Sequence, residues 1–200
     1  MKQQILVIHG GNAFEKYEEY LNYLKTKEVT LEKLRSMDWK ESLGRMLGDE
    51  YQVLAPRMPN GQNARYSEWK IWFERIVPLL DEPVILIGHS MGGIFLVKFL
   101  SENVMPKKIT ATFLVAAPYN AEVGESLVDF ALTRDLTKFN EQGGKIFLYQ
   151  SKDDPVVPFS HVEKYHKELP NAALRIFEDR QHFNQPELPE LVENIKGLNY

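Results

Sequence analysis

Residues 84–97 read Val-Ile-Leu-Ile-Gly-His-Ser-Met-Gly-Gly-Ile-Phe-Leu-Val. Four aliphatic residues of strand length run directly into Gly88-x-Ser90-x-Gly92 and out again into an apolar segment of helical character. A chain can turn from strand to helix in so few residues only by forcing the residue at the bend, Ser90, into a strained backbone conformation. Glycines on either side remove the side chains that would collide there. A strand without polar alternation needs cover on both faces, which points to a parallel sheet with helices on both sides.

The rest of the chain agrees. Short aliphatic runs recur at Ile5 to His9, Gln52 to Ala55, Val84 to Ile87, Ala111 to Ala116, Lys145 to Tyr149 and Leu174 to Phe177, and each is strand length and barely alternating. Helical patterns lie between them. Trp69, Trp72, Phe73, Ile76 and Leu80 make one apolar stripe about three turns long, read as facing the core. Val162, Tyr165 and Leu169 repeat the pattern after Pro158, as do Leu188, Leu191, Val192 and Ile195 after Pro186. Strand and helix therefore alternate through one α/β domain spanning 1–200, with right-handed crossovers and no linker or repeat dividing it. One stretch is too long for a usual crossover: residues 12–50, read as an insertion of two or three short helices that either is structural only or caps a site.

The bend also carries chemistry. In this strand-to-helix context Gly-x-Ser-x-Gly is a nucleophile elbow, which lifts the Ser90 hydroxyl above the sheet edge at a helix N-terminus that favours negative charge. A serine hydroxyl is too weakly acidic to attack unaided and needs a base. Of five histidines, His9 and His89 adjoin turns, where packing or loop fixation is the better reading. His161 and His166 read as a solvated helix face among Glu163, Lys164, Lys167 and Glu168. His182 differs, lying on a loop between the last strand and the last helix. The acid that orients it belongs after the penultimate strand, in Lys152-Asp153-Asp154-Pro155-Val156-Val157-Pro158, where either aspartate could instead cap the next helix. Two donors for an oxyanion are expected from the backbone N–H of Met91 and from the loop Gly10-Gly11-Asn12, with Gly11 as the candidate.

Composition excludes several alternatives. A net charge of −4 offers no broad positive field for nucleic acid. With no cysteine there is no disulfide, thiolate metal cluster or cysteine nucleophile. No apolar run is long enough to span a bilayer and the N-terminus has no signal-peptide pattern, so the expected location is the cytoplasm with the mature chain starting at Met1.

These pieces together resemble the α/β-hydrolase superfamily and, within it, the small serine hydrolases typified by the retinoblastoma-binding serine hydrolase. His9-Gly10-Gly11 resembles the oxyanion loop, Gly88 to Gly93 the elbow, Asp154 to Pro158 the acid loop and His182-Phe183 the histidine loop. The resemblance implies a triad of Ser90, Asp154 and His182. It also implies a mostly parallel sheet of about six strands, reduced at the N-terminus because the chain starts at what resembles the superfamily's third strand. Gln181 stands where a glycine commonly precedes the histidine. The expected activity is hydrolysis of a small carboxylic ester, thioester or amide with no metal or organic cofactor. The alternative is a hydrolase-fold binding or signalling module with a vestigial site. The short stretch between Pro118 and Lys145, where many lipases carry a lid, argues against an enzyme acting at a lipid interface.

Overall fold

In the computed structural model, which describes residues 2–120 and 127–198, six parallel strands form one sheet in the order β2-β1-β3-β4-β5-β6. They are β1 (Gln3–Ile8), β2 (Tyr51–Leu54), β3 (Val84–His89), β4 (Ile109–Val115), β5 (Lys145–Ser151) and β6 (Ala173–Phe177). All six aliphatic runs are strands.

The helices are α1 (Tyr17–Thr26), α2 (Leu31–Arg35), α3 (Trp39–Leu47), α4 (Tyr66–Ile76), α5 (Met91–Glu102), α6 (Thr137–Gln142), α7 (Ser160–Glu168) and α8 (Pro189–Lys196). Residues 121–126 of the stretch between Pro118 and Lys145 lie outside the described residues. Alternate strand residues feed two cores. Leu6, Ile8, Leu86 and Leu148 join α4, α5, α6 and α7 on one face. Ile5, Val7, Ile87, Phe113 and Tyr149 join α3 and α8 on the other. Because both faces are covered, the strands carry no polar alternation.

The chain order sets the place of the site. From β1 the chain moves outward to β2, then returns past β1 to β3 and continues in the opposite direction. The carboxyl ends of β1 and β3 therefore flank a topological switch point, where open α/β sheets form their crevice.

Three expectations need correction. Trp72 is exposed, whereas Trp69, Phe73 and Leu80 are buried; the stripe is narrower than its spacing suggested because α5 covers only that line of the helix. His161 is fully buried rather than solvated. It shares the inner face of α7 with Val162 and Tyr165, and its burial is tolerated because Nδ1 accepts a hydrogen bond from the Tyr119 N–H at 2.8 Å. Residues 12–50 are not one insertion: α1 and α2 bury no residue, but α3 buries Trp39, Ser42, Leu43 and Leu47 and is the crossover helix between β1 and β2. Burying Leu43 and Leu47 stabilises the fold by roughly 1.5–3 kcal/mol each. Only the part before α3 departs from a plain βα unit.

Candidate active site

Ser90 follows β3 directly and has φ 53° and ψ −124°. This left-handed backbone is strained for a residue with a side chain, and it persists because the elbow is clamped on both sides. A Cβ at Gly92 would stand 2.2 Å from the Ile8 carbonyl oxygen, and one at Gly88 would stand 2.5 Å from the Gly92 carbonyl oxygen. No side chain fits at either position. Ser90 is the N-cap residue of α5, yet its hydroxyl makes no capping hydrogen bond. A serine kept there for helix capping would use it.

Ser90 lines a cavity of about 210 Å³ together with Gly11, Asn12, Ala13, Phe14, Met91, Pro118, Leu127, Val156 and Val157. None of these side chains is charged. Gly11 and Met91, the two expected oxyanion donors, thus share one cavity with the serine. Gly10 abuts Ser90 so closely that an added Cβ would lie 3.1 Å from Ser90 Cβ. His9 holds this loop from below: Nδ1 donates to the Gly10 carbonyl and Nε2 accepts from the Met58 N–H at 2.8 Å. It fixes the loop, as its position beside a turn suggested. A larger concavity, about 670 Å³, lies near Lys2, Tyr51 and Glu82, at the amino ends of the strands and away from Ser90.

Asp154 and His182 meet. His182 Nδ1 lies 2.9 Å from Asp154 Oδ2 and 3.1 Å from Oδ1. The carboxylate is fully buried and saturated: Oδ1 also accepts from the Val156 and Val157 N–H groups at 2.8 and 3.0 Å, and Oδ2 from Gln150 Nε2 at 3.2 Å. Asp153 points elsewhere. Its exposed carboxylate accepts from Ser151 Oγ at 2.5 Å and from the Gln181 N–H at 2.9 Å, and the serine hydroxyl holds its pKa below the usual carboxylate value. Among the described residues no hydrogen bond joins Ser90 to His182; contacts of this kind commonly tighten only when substrate is bound.

The histidine loop is itself strained. Gln181 has φ 46° and Phe183 φ 52°, which explains why glycine suits the position before the histidine. What holds the loop was not legible in the sequence. Trp39 Nε1 donates to the Phe183 carbonyl at 2.9 Å, Ser42 Oγ to the Pro186 carbonyl at 2.7 Å, and the Trp39 N–H to the Gln185 carbonyl at 2.8 Å. All three donors come from α3.

The tyrosines of α1 do not line the cavity beside Ser90. Tyr17 and Tyr20 border a separate depression with Asn60 and Glu68. Phe14 lines the serine's cavity instead, and its ring packs 5.8 Å from Tyr20 and 5.2 Å from Tyr23. Among the described residues no three His, Asp or Glu side chains cluster to hold a metal, and no helix is long and apolar enough to cross a membrane.

The serine hydrolase family model matches residues 31–188, a span that includes Ser90, Asp154 and His182. The chain belongs to the serine hydrolase family. This hydrolase is 30% identical over 152 residues to serine hydrolase RBBP9 of Rattus norvegicus, covering 74% of this chain and 78% of that one. It is 24% identical over 194 residues to YdeN of Bacillus subtilis (strain 168), covering 94% and 89%. The solved structure of the B. subtilis ydeN gene product superposes with a TM-score of 0.75 at 22% identity, covering 98% of each chain. That likeness shows the α/β-hydrolase fold. Family membership makes the chain an enzyme of the hydrolase class.

Proposed function

We propose that this hydrolase cleaves a small, uncharged carboxylic ester, thioester or amide through an acyl-enzyme on Ser90. The observation that carries the reading is the strained, uncapped Ser90 opening on an uncharged cavity, with a buried Asp154–His182 pair on the neighbouring loops. Ser90 Oγ attacks the carbonyl carbon as its proton passes to His182 Nε2. Asp154 holds the imidazole with Nδ1 protonated and stabilises the imidazolium. The N–H groups of Met91 and Gly11 receive the oxyanion. Collapse of the tetrahedral intermediate breaks the bond to the leaving group, which takes the proton from His182. Water then attacks the acyl-enzyme by the same route and releases the acid.

The cavity narrows the substrate class. At about 210 Å³ it is smaller than typical sites for drug-sized ligands, which favours a short acyl group. Its uncharged walls give a charged acyl chain no partner, and burying an unpaired charge is costly. We infer no nucleic-acid partner for a chain of net charge −4. We assign the protein to the cytoplasm, a reducing setting that suits a fold without cysteine.

An alkyl fluorophosphonate should label the purified protein once, with the mass increment on the peptide carrying Ser90. A label elsewhere, or none, would remove Ser90 from the reaction.

Phe14 is expected to limit acyl length. Phe14→Ala should raise the ratio of kcat/KM for an eight-carbon over a two-carbon p-nitrophenyl ester by about 10-fold or more, since even one further methylene admitted to an apolar pocket is worth roughly 1–3 kcal/mol. An unchanged ratio in a folded variant would place the acyl group elsewhere.

A further inference from the structure

Lys40, in the first turn of α3, carries a largely buried ammonium. It lies 2.5 Å from Asp38 Oδ2, 3.3 Å from His89 Nδ1 and 5.0 Å from the centroid of the Trp39 ring. The other ring nitrogen of the buried His89, Nε2, lies 2.9 Å from the backbone carbonyl oxygen of His182. An ammonium can only donate and a carbonyl can only accept. Both contacts therefore require the same tautomer: Nδ1 bare, Nε2 bearing the proton. Burial, reinforced by the Lys40 cation, holds the His89 pKa well below its usual value, so the ring stays neutral and Nε2–H remains a donor. Burial also pulls the Lys40 pKa down, against the opposing pull of Asp38.

We propose that Asp38, Lys40 and His89 form a positioning relay that fixes the backbone of His182 and thereby aims its imidazole between Asp154 and Ser90. The proposal rests on the reading of His182 as the general base. Its physical basis is the strain in the loop: His182 sits between two residues at positive φ, Gln181 and Phe183. Such a segment relaxes toward ordinary backbone unless its surroundings over-determine it. The relay grips the carbonyl between the two strained residues, and Trp39 Nε1 grips the next carbonyl along. Asp38 serves twice, because Oδ1 caps α3 through the Lys40 N–H at 2.9 Å while Oδ2 holds the Lys40 ammonium. A cation on Nδ1 also polarises the ring and strengthens donation from Nε2. Helix α3 thus links the crossover after β1 to the general base, and substrate choice is left to the loop that carries Phe14.

The test compares kcat, KM and Tm for His89→Gln, His89→Leu, Lys40→Met and the Lys40→Met/His89→Leu double variant, with a short p-nitrophenyl ester as substrate. Loss of aim should appear in kcat. His89→Leu should lower it by about 10–100-fold with KM within about twofold. His89→Gln, whose amide can both donate to the carbonyl and accept from Lys40, should recover most of that loss. Lys40→Met, which keeps the bulk of the stem, should lower kcat by about 3–10-fold, and the double variant should be no worse than His89→Leu, because the two groups act in series. Equal activity of the Gln and Leu variants at matched Tm, or losses that multiply in the double variant, would overturn the relay. If His89→Leu does not fold, a wild-type kcat in Lys40→Met overturns it just as well. Ser90→Ala measured alongside separates the two readings. Wild-type turnover there counts against the nucleophile, whereas an inactive Ser90→Ala beside a fully active His89→Leu sinks the relay alone.

Discussion

Ser90→Ala is expected to reduce turnover of a short activated ester by about 10⁴-fold or more while leaving KM and Tm close to their original values. The size follows from what the variant loses and what it keeps. It loses the attacking oxygen, and with it the acyl-enzyme route. It retains the cavity, the N–H groups of Gly11 and Met91, and the Asp154–His182 pair, which can still assist a water molecule. Stability should hold because the hydroxyl caps no helix, so its removal leaves no backbone donor unpaired. Steady-state rates on p-nitrophenyl acetate, together with a thermal melt, check both parts. A variant that keeps near-native turnover would show that the elbow serine is not the nucleophile, whatever the geometry around it.

Asp154→Asn should cost nearly as much, on the order of 10⁴-fold in kcat, and Asp153→Asn no more than about threefold. The contrast comes from hydrogen-bond polarity. Asp154 Oδ1 accepts from two backbone N–H groups as well as lying near His182, so an asparagine would keep its carbonyl oxygen there. Its NH₂ group would then occupy the place of Oδ2, facing His182 Nδ1 and Gln150 Nε2. A donor facing Nδ1 forces the imidazole to carry its proton on Nε2. That tautomer has no lone pair with which to take the serine proton. Asp153 meets both of its donors through Oδ1, and an asparagine oxygen in that place accepts the same two hydrogen bonds. Rates of the two variants under one condition decide between the neighbours; the reverse order of damage would make Asp153 the acid.

A feature of this protein is legible in its sequence to the extent that its physical cause is local. Six strands could be read from six aliphatic runs, because a strand buried on both faces writes its environment into a few consecutive residues. The bend at Ser90 could be read because Gly88 answers the backbone of its own turn, whereas the atom that excludes a side chain at Gly92, the Ile8 carbonyl oxygen, lies on β1. His182 and Asp154 needed the resemblance as well, and separating Asp154 from Asp153 needed the directions of two adjacent side chains. Contacts between distant parts of the chain leave no such local trace. Trp39 holds a carbonyl 144 residues away, and nothing in the pattern of 12–50 distinguishes a helix that grips the histidine loop from one that stands in solvent. His161 read as solvated because its neighbours in sequence are charged, although the backbone N–H that satisfies it belongs to Tyr119. The strands, the bend at Ser90 and the kinds of reactive group can be read from consecutive residues, since they follow mainly from short-range sterics and burial. Tertiary packing determines which helix holds the histidine loop and which ring, Phe14, lines the cavity beside Ser90, because a side chain's partner across the fold has no local signature.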